Sequence, residues 1–339
     1  MNDSLSPNSV FDNFSLEGQV AVVTGASKGI GKGIAMAFSQ AGASVVCASR
    51  TEADVVAAAK EISDATGNPA IGIACDVAST EQRTMLLERT MKEMGRIDIL
   101  VNNAGGAGPN DPVKTSAEDF SKTLDWNVTP AFDLSKQAYE LMLESGQGTI
   151  INISSRAANL RQKNFSAYGS AKAALSHLTR LLAQDFAPNV RVNAIEPGAI
   201  LTDALEGFLT PEMKAGMIKT TPLGRLGAIE DVANSALFLA SPASSWITGK
   251  IIELDGGVEA PLWSETISNI AELEYLAFPR VIGYSELNWT IEENRNWEDY
   301  KVRLANQTPY LDRMNVKYYP SKLIDWVDTK NKFDAPLKD

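Results

Sequence analysis

The sequence predicts an α/β fold: a Rossmann-type, doubly wound parallel sheet of about seven strands, followed by a mainly helical C-terminal appendage. Three observations carry this prediction. Short apolar runs alternate with helical patterns from Val20 to Leu254. The runs are apolar almost throughout, as in strands covered on both faces, rather than at every second residue. A glycine-rich turn, Thr24-Gly25-Ala26-Ser27-Lys28-Gly29-Ile30-Gly31, joins the first run to the first helix.

Residues 1–15 are polar and are expected to form a flexible N-terminus. Val20 to Thr24 is the first strand, and a helix from Ile30 to Gln40 follows the turn. Strands are then expected at Ala43–Ser49, Ala70–Cys75 and Ile97–Val101, with helices at Glu52–Ala65 and Thr80–Met94 between them. A long helical region runs from Ala117 to Leu143, and Thr149–Ile153 is the fifth strand. A helix to Phe186 and a strand at Val190–Ile195 come next. The pattern loosens from Glu196-Pro197-Gly198 to residue 228, as in a loop or lid with short helices. A helix at Ile229–Leu239 and a strand at Lys250–Leu254 complete the unit. Composition then shifts: residues 261–339 hold four of the six Trp and six of the eight Tyr, so they are set apart from a domain at 16–260.

The charged fraction is 22%, the hydrophobic fraction 44% and the net charge −11. That balance argues against nucleic acid and anionic membranes as partners, while local cations could still hold an anionic cofactor. Cys47 and Cys75 lie in apolar runs without C-x-x-C spacing, which suits buried thiols in a reducing compartment. The N-terminus has neither basic n-region nor apolar h-region, and no run reaches membrane-spanning length, so a cytoplasmic protein is expected. His177 is the single histidine; a His-cluster metal site is excluded and none of another kind is expected.

The turn at 24–31 has the chemistry of a pyrophosphate site. Glycines allow close backbone approach, and a helix N-terminus offers free N–H groups and a positive dipole end. The spacing is G-x-x-x-G-x-G. At the end of the second strand an NAD site would carry a carboxylate for the ribose hydroxyl. Here Ser49-Arg50 stands instead, offering a guanidinium to a 2′-phosphate, with Lys28 as a second cation. NADP is therefore favoured over NAD, the bland alternative being two solvated surface cations. Asp76 could face an adenine amino group or serve as a helix N-cap.

Tyr168 and Lys172 are four residues apart, on one face of the predicted helix. An ammonium there is expected to favour phenolate and lower the tyrosine pKa. Ser155 precedes Tyr168 by thirteen residues. Y-x-x-x-K alone also arises by chance in helices.

Together these pieces resemble the short-chain dehydrogenase/reductase family over residues 16–258. The matching stretches are TGASKGIG at 24–31, NNAG at 102–105, Asn127 in DWNV, Ser155, YGSAK at 168–172 and EPGAILT at 196–202. The resemblance implies a catalytic set of Asn127, Ser155, Tyr168 and Lys172. It also implies cofactor contacts from Gly25, Ser27, Lys28, Gly29, Ile30, Gly31, Ser49, Arg50, Asp76, Val77, Asn103, Ala104, Gly105, Tyr168, Lys172, Pro197, Gly198, Ile200 and Thr202. NNAGGAGP at 102–109, PGAILTDAL at 197–205 and ANSALFLASPASSWITG at 233–249 look like the family's 7α-hydroxysteroid dehydrogenases. That implies a bile-acid or related steroid substrate and a homotetramer. TPLGRLG at 221–227 also resembles 3-oxoacyl carrier-protein reductases, and a non-catalytic NADP-binding protein is the alternative from another class. The loop from Ile200 to Thr220 is expected to set the substrate.

Residues 262–326 resemble the end of a β-N-acetylhexosaminidase barrel, where the Trp and Glu of an LWSE stretch, here Trp263 and Glu265, contact the sugar. That family's catalytic Asp-Glu pair is missing from this chain, and one or two βα units cannot close an eight-stranded barrel. No glycosidase activity is expected.

Overall fold

The computed structural model describes residues 9–258, Phe278, Ile282 and 296–326. The chain divides into two compact units, Met1–Ala260 and Pro261–Asp339. In the first, the elements are β1 (Val20–Thr24), α1 (Gly29–Gln40), β2 (Ser44–Ser49), α2 (Glu52–Thr66), β3 (Ala70–Ala74), α3 (Thr80–Met94), β4 (Ile99–Asn102) and α4 (Ala117–Glu144). They continue with β5 (Gly148–Ile153), α5 (Ser166–Asp185), β6 (Val190–Pro197), α6 (Asp203–Glu206), α7 (Pro211–Thr220), α8 (Ile229–Ala240) and β7 (Ile251–Leu254).

The sheet has seven strands in the order β3-β2-β1-β4-β5-β6-β7, and every pairing is parallel. Chain direction across the sheet reverses between β1 and β4, and ligands of such sheets bind at the carboxyl ends of the strands beside that point. Successive residues of β1 face opposite sides: Ala21 and Val23 pack with Ile34, Phe38 and Val232 of α1 and α8. Val20 and Val22 pack with Leu86, Leu134 and Leu182 of α3, α4 and α5. Burial on both faces is why the strands read as continuous apolar runs.

Two strand boundaries lie two residues from expectation, where pairing partners, not local propensity, set them. β6 runs past Ile195 because Glu196 and Pro197 pair with Glu253 and Leu254 of β7. β4 starts at Ile99, after Asp98 has accepted the Val20 N–H on a side-chain oxygen at 2.8 Å. The expected flexible N-terminus is replaced over part of its length by a 3-10 turn, Val10–Phe14, capped by Ser9. Phe14 holds it by packing on Phe238 of α8, ring centroids 6.4 Å apart.

In the second unit, α9 (Trp297–Ala305) starts at Asn296, whose side chain accepts the Glu298 and Asp299 N–H groups. α10 (Thr308–Arg313) follows, and α9 contributes Leu304 and Ala305 to a small core with Ile324, against which Tyr300 and Trp326 pack. Trp263 and Glu265 lie outside the described residues.

Candidate active site

The turn after β1 is built by Thr24, Gly25 and Asn103. Thr24 Oγ1 accepts the Asn103 and Ala104 N–H groups at 3.0 Å, and Asn103 Nδ2 donates to the Thr24 carbonyl at 2.9 Å. These bonds lock the carboxyl ends of β1 and β4 together. Gly25 has φ +66°, and a Cβ on Gly31 would collide with the Gly25 carbonyl oxygen. Lys28 is the N-cap of α1, which has no side-chain cap bond and no acid in its first turn. The N-terminal amides of α1 therefore have no capping side chain, the condition in which a helix N-terminus can bind an anion.

At the end of β2, Ser49 Oγ is buried with no hydrogen-bond partner. The Arg50 guanidinium lies 5.8 Å from the ring centroid of Trp126 on α4. Sequence reasoning missed Trp126: it is 76 positions from Arg50, and its one signal was its place beside Asn127. Asp76 is not the helix N-cap. Ser79 caps α3, and Asp76 Oδ1 accepts the Ala78 N–H at 3.0 Å in a local turn. Val77 is buried beside Ala104 in the same apolar cluster.

Asn127, Ser155, Tyr168 and Lys172 come from two helices, α4 and α5, and from the end of β5. Asn127 is buried in α4. Its Oδ1 accepts the Gly106 N–H at 2.8 Å, and its Nδ2 donates to the Thr123 carbonyl at 2.9 Å. A Cβ on Gly105 would sit 2.8 Å from Asn127 Oδ1 and 3.4 Å from Lys172 Nζ, so these two side chains meet behind that glycine. Ser155, just past β5, accepts the Ala157 N–H at 3.2 Å. Lys172 Nζ donates to the Ile153 carbonyl at 2.9 Å and lies 5.7 Å from the Tyr168 ring centroid.

The electrostatics differ from the expectation. Burial raises the Tyr168 pKa, and a hydrogen bond with Ser155 only partly opposes it. Burial also lowers Lys172 to about 8. Both groups have lost water, and the ammonium is turned to the Ile153 carbonyl, so in the cofactor-free chain Tyr168 is held as the phenol.

Pro197 and Gly198 end β6, where the Gly198 N–H donates to the Leu254 carbonyl at 2.8 Å. Ile200 is buried and bridges Gly227. Thr202 caps α6 by accepting the Leu205 N–H, and its Cγ2 would lie 3.8 Å from a Cβ on Gly29. The loop therefore returns to the glycine turn. Beyond it Phe208 is 83% exposed and Leu223 68% exposed. Among the described residues no His, Cys, Asp and Glu cluster could hold a metal ion, and no helix is long and apolar enough to cross a membrane.

The family model Enoyl-(Acyl carrier protein) reductase matches residues 25–259. An uncharacterized oxidoreductase of Mycobacterium tuberculosis is 48% identical over 254 residues, covering 74% of this chain and 96% of its own length. The chain belongs to the short-chain dehydrogenase/reductase family. Within the family, the 7α-hydroxysteroid dehydrogenase of Escherichia coli K12 is 44% identical over 247 residues, which are 73% of this chain and 96% of the relative. A solved 7α-hydroxysteroid dehydrogenase, complexed with NADH and 7-oxo glycochenodeoxycholic acid, superposes with a TM-score of 0.71 at 43% identity. It covers 74% of this chain and 98% of its own. As in other short-chain dehydrogenase/reductases, this chain is an oxidoreductase acting on CH–OH groups. A second model, the catalytic domain of glycosyl hydrolase family 20, matches residues 232–292. Its first part coincides with most of α8 and with β7, which are built into the dehydrogenase sheet and core.

Proposed function

We propose that the protein is an NADP-dependent 7α-hydroxysteroid dehydrogenase acting on bile acids. The observation that carries the reading is Tyr168, Ser155, Lys172 and Asn127 gathered at the carboxyl ends of β4 and β5, beside a pyrophosphate turn. The 44% identity to a 7α-hydroxysteroid dehydrogenase supports the substrate. Arg50 over Trp126, with no carboxylate at Ser49, supports NADP.

The residues present fit a nicotinamide dinucleotide. The α1 amides with Ser27, Lys28, Gly29 and Ile30 would hold the pyrophosphate, and Ser49 with Arg50 the 2′-phosphate. Asp76 and Val77 would flank the adenine. Asn103, Ala104 and Gly105 would line the ribose, and Pro197, Gly198, Ile200 and Thr202 the carboxamide. When bound, the cofactor supplies the hydride acceptor or donor. Tyr168 Oη gives its proton to the substrate oxygen in reduction and removes it in oxidation. The Ser155 hydroxyl orients that oxygen and steadies its developing charge. Lys172 places a cation below the phenol, and Asn127 holds the turn at Gly106 beside it.

Absorbance at 340 nm with a bile-acid panel and both cofactors tests the reading. Turnover of 7α-hydroxy acids with NADP supports it. Turnover of 3-oxoacyl thioesters alone would select the 3-oxoacyl carrier-protein reductase reading, and nucleotide binding without turnover a non-catalytic sensor. The same reading takes the protein as a cytoplasmic homotetramer. The segment 261–339 is proposed to be an appendage without glycosidase activity, because that family's catalytic Asp-Glu pair is missing from the sequence and one or two βα units cannot close an eight-stranded barrel.

A further inference from the structure

A chain of short contacts runs behind the site. Ser154 Oγ donates to the Lys172 carbonyl at 2.9 Å, Ser154 Oγ and Ser176 Oγ are 2.8 Å apart, and Ser176 Oγ is 2.7 Å from Glu196 Oε1. Each contact needs one hydrogen, and the two hydroxyls supply two. With an ionised Glu196, the Ser154–Ser176 contact would have none. Glu196 is 1% exposed, Ser154 and Ser176 each 4%, so a missing hydrogen there is costly.

We propose that Glu196 is a positioning residue held as the neutral carboxylic acid, donating to Ser176, which donates to Ser154, which donates to the Lys172 carbonyl. The other carboxylate oxygen then accepts from Asn159 Nδ2 at 2.8 Å. The groups facing Glu196 are consistent. Arg156 lies 3.7 Å away but pairs more closely with Glu253 at 2.9 Å and Asp255 at 2.6 Å. Burial and Glu253 raise the Glu196 pKa, against Ser176, Arg156 and Arg180. The consequence is a two-point hold on one residue: Ile153 takes the Lys172 ammonium, and Ser154 takes its carbonyl. This deepens the proposed role of Lys172 and rests on that reading.

Glu196→Gln tests it, because the amide N–H can replace the acid O–H. The infrared spectrum of the intact protein at neutral pH should show the carbonyl stretch of a buried carboxylic acid, lost in Glu196→Gln. NADPH affinity, read by nucleotide fluorescence, should be unchanged in Glu196→Gln. It should fall about tenfold in Glu196→Ala and Ser176→Ala, the second serving where the first does not fold. Absence of a Glu196-dependent acid band overturns the protonation. Equal NADPH losses in the Gln and Ala variants, or none in Ala and Ser176→Ala, overturn the positioning role. Neither readout needs turnover, so failure of the steroid assay would remove the substrate reading and leave this one decided.

Discussion

Tyr168 sits where burial keeps its proton on, opposed by the hydrogen bond with the Ser155 hydroxyl. Alcohol oxidation needs the phenolate, so kcat/KM for oxidation should climb with pH on the alkaline side, while ketone reduction runs at neutral pH; pH–rate profiles in both directions check this. Tyr168→Phe should cost about 10² to 10⁴-fold in kcat. Lys172 carries a sign of its own. Burial holds its folded pKa at about 8, below the ordinary lysine value of 10.5. The unfolded state therefore binds more protons between those values, and folding stability rises with pH across that window. Chemical denaturation of the cofactor-free protein should show this rise, and Lys172→Met should lack it. Arg50→Ala should lower kcat/KM with NADP about ten- to hundredfold, leaving NAD nearly unaffected. The pairing of Tyr168 with Lys172 was legible because both lie one helical turn apart. The direction of the tyrosine shift was not, because it depends on burial, which outweighs the hydrogen bond with Ser155 and is set by packing between elements.

At the scale of elements, the glycine turn is the part the sequence states most fully. Its strand, its helix and its glycines are contiguous, so every constraint is local. Gly31→Ala should force a Cβ into the Gly25 carbonyl, costing about 1–3 kcal/mol and weakening nucleotide binding; thermal unfolding and nucleotide titration measure the two effects. The ends of β4 and β6 were less legible, since Asp98 and Glu196 take their partners from strands distant in sequence. α6 and α7 were visible only as a loosened pattern. α6 spans four residues, Asp203–Glu206, and α7 buries no residue completely, so neither imprints an apolar period.

For the whole molecule, the sheet was readable because both of its faces are buried and its strands alternate with helices in order. Aromatic content changes near residue 260, and the chain divides into two compact units, Met1–Ala260 and Pro261–Asp339. A chain ending at Ala260 should keep steroid turnover and its own unfolding transition, and saccharides should leave the Trp263 fluorescence of the full chain unquenched. Loss of folding in the shortened chain would make 261–339 part of the enzyme. The central claim is that the Tyr168 site oxidises a 7α-hydroxysteroid with NADP. Its most direct test is the initial rate of absorbance change at 340 nm with a 7α-hydroxy bile acid and NADP, for the wild type and Tyr168→Phe. The account predicts turnover in the wild type and its near loss in the variant. An inactive wild type, or a fully active Tyr168→Phe, would contradict it.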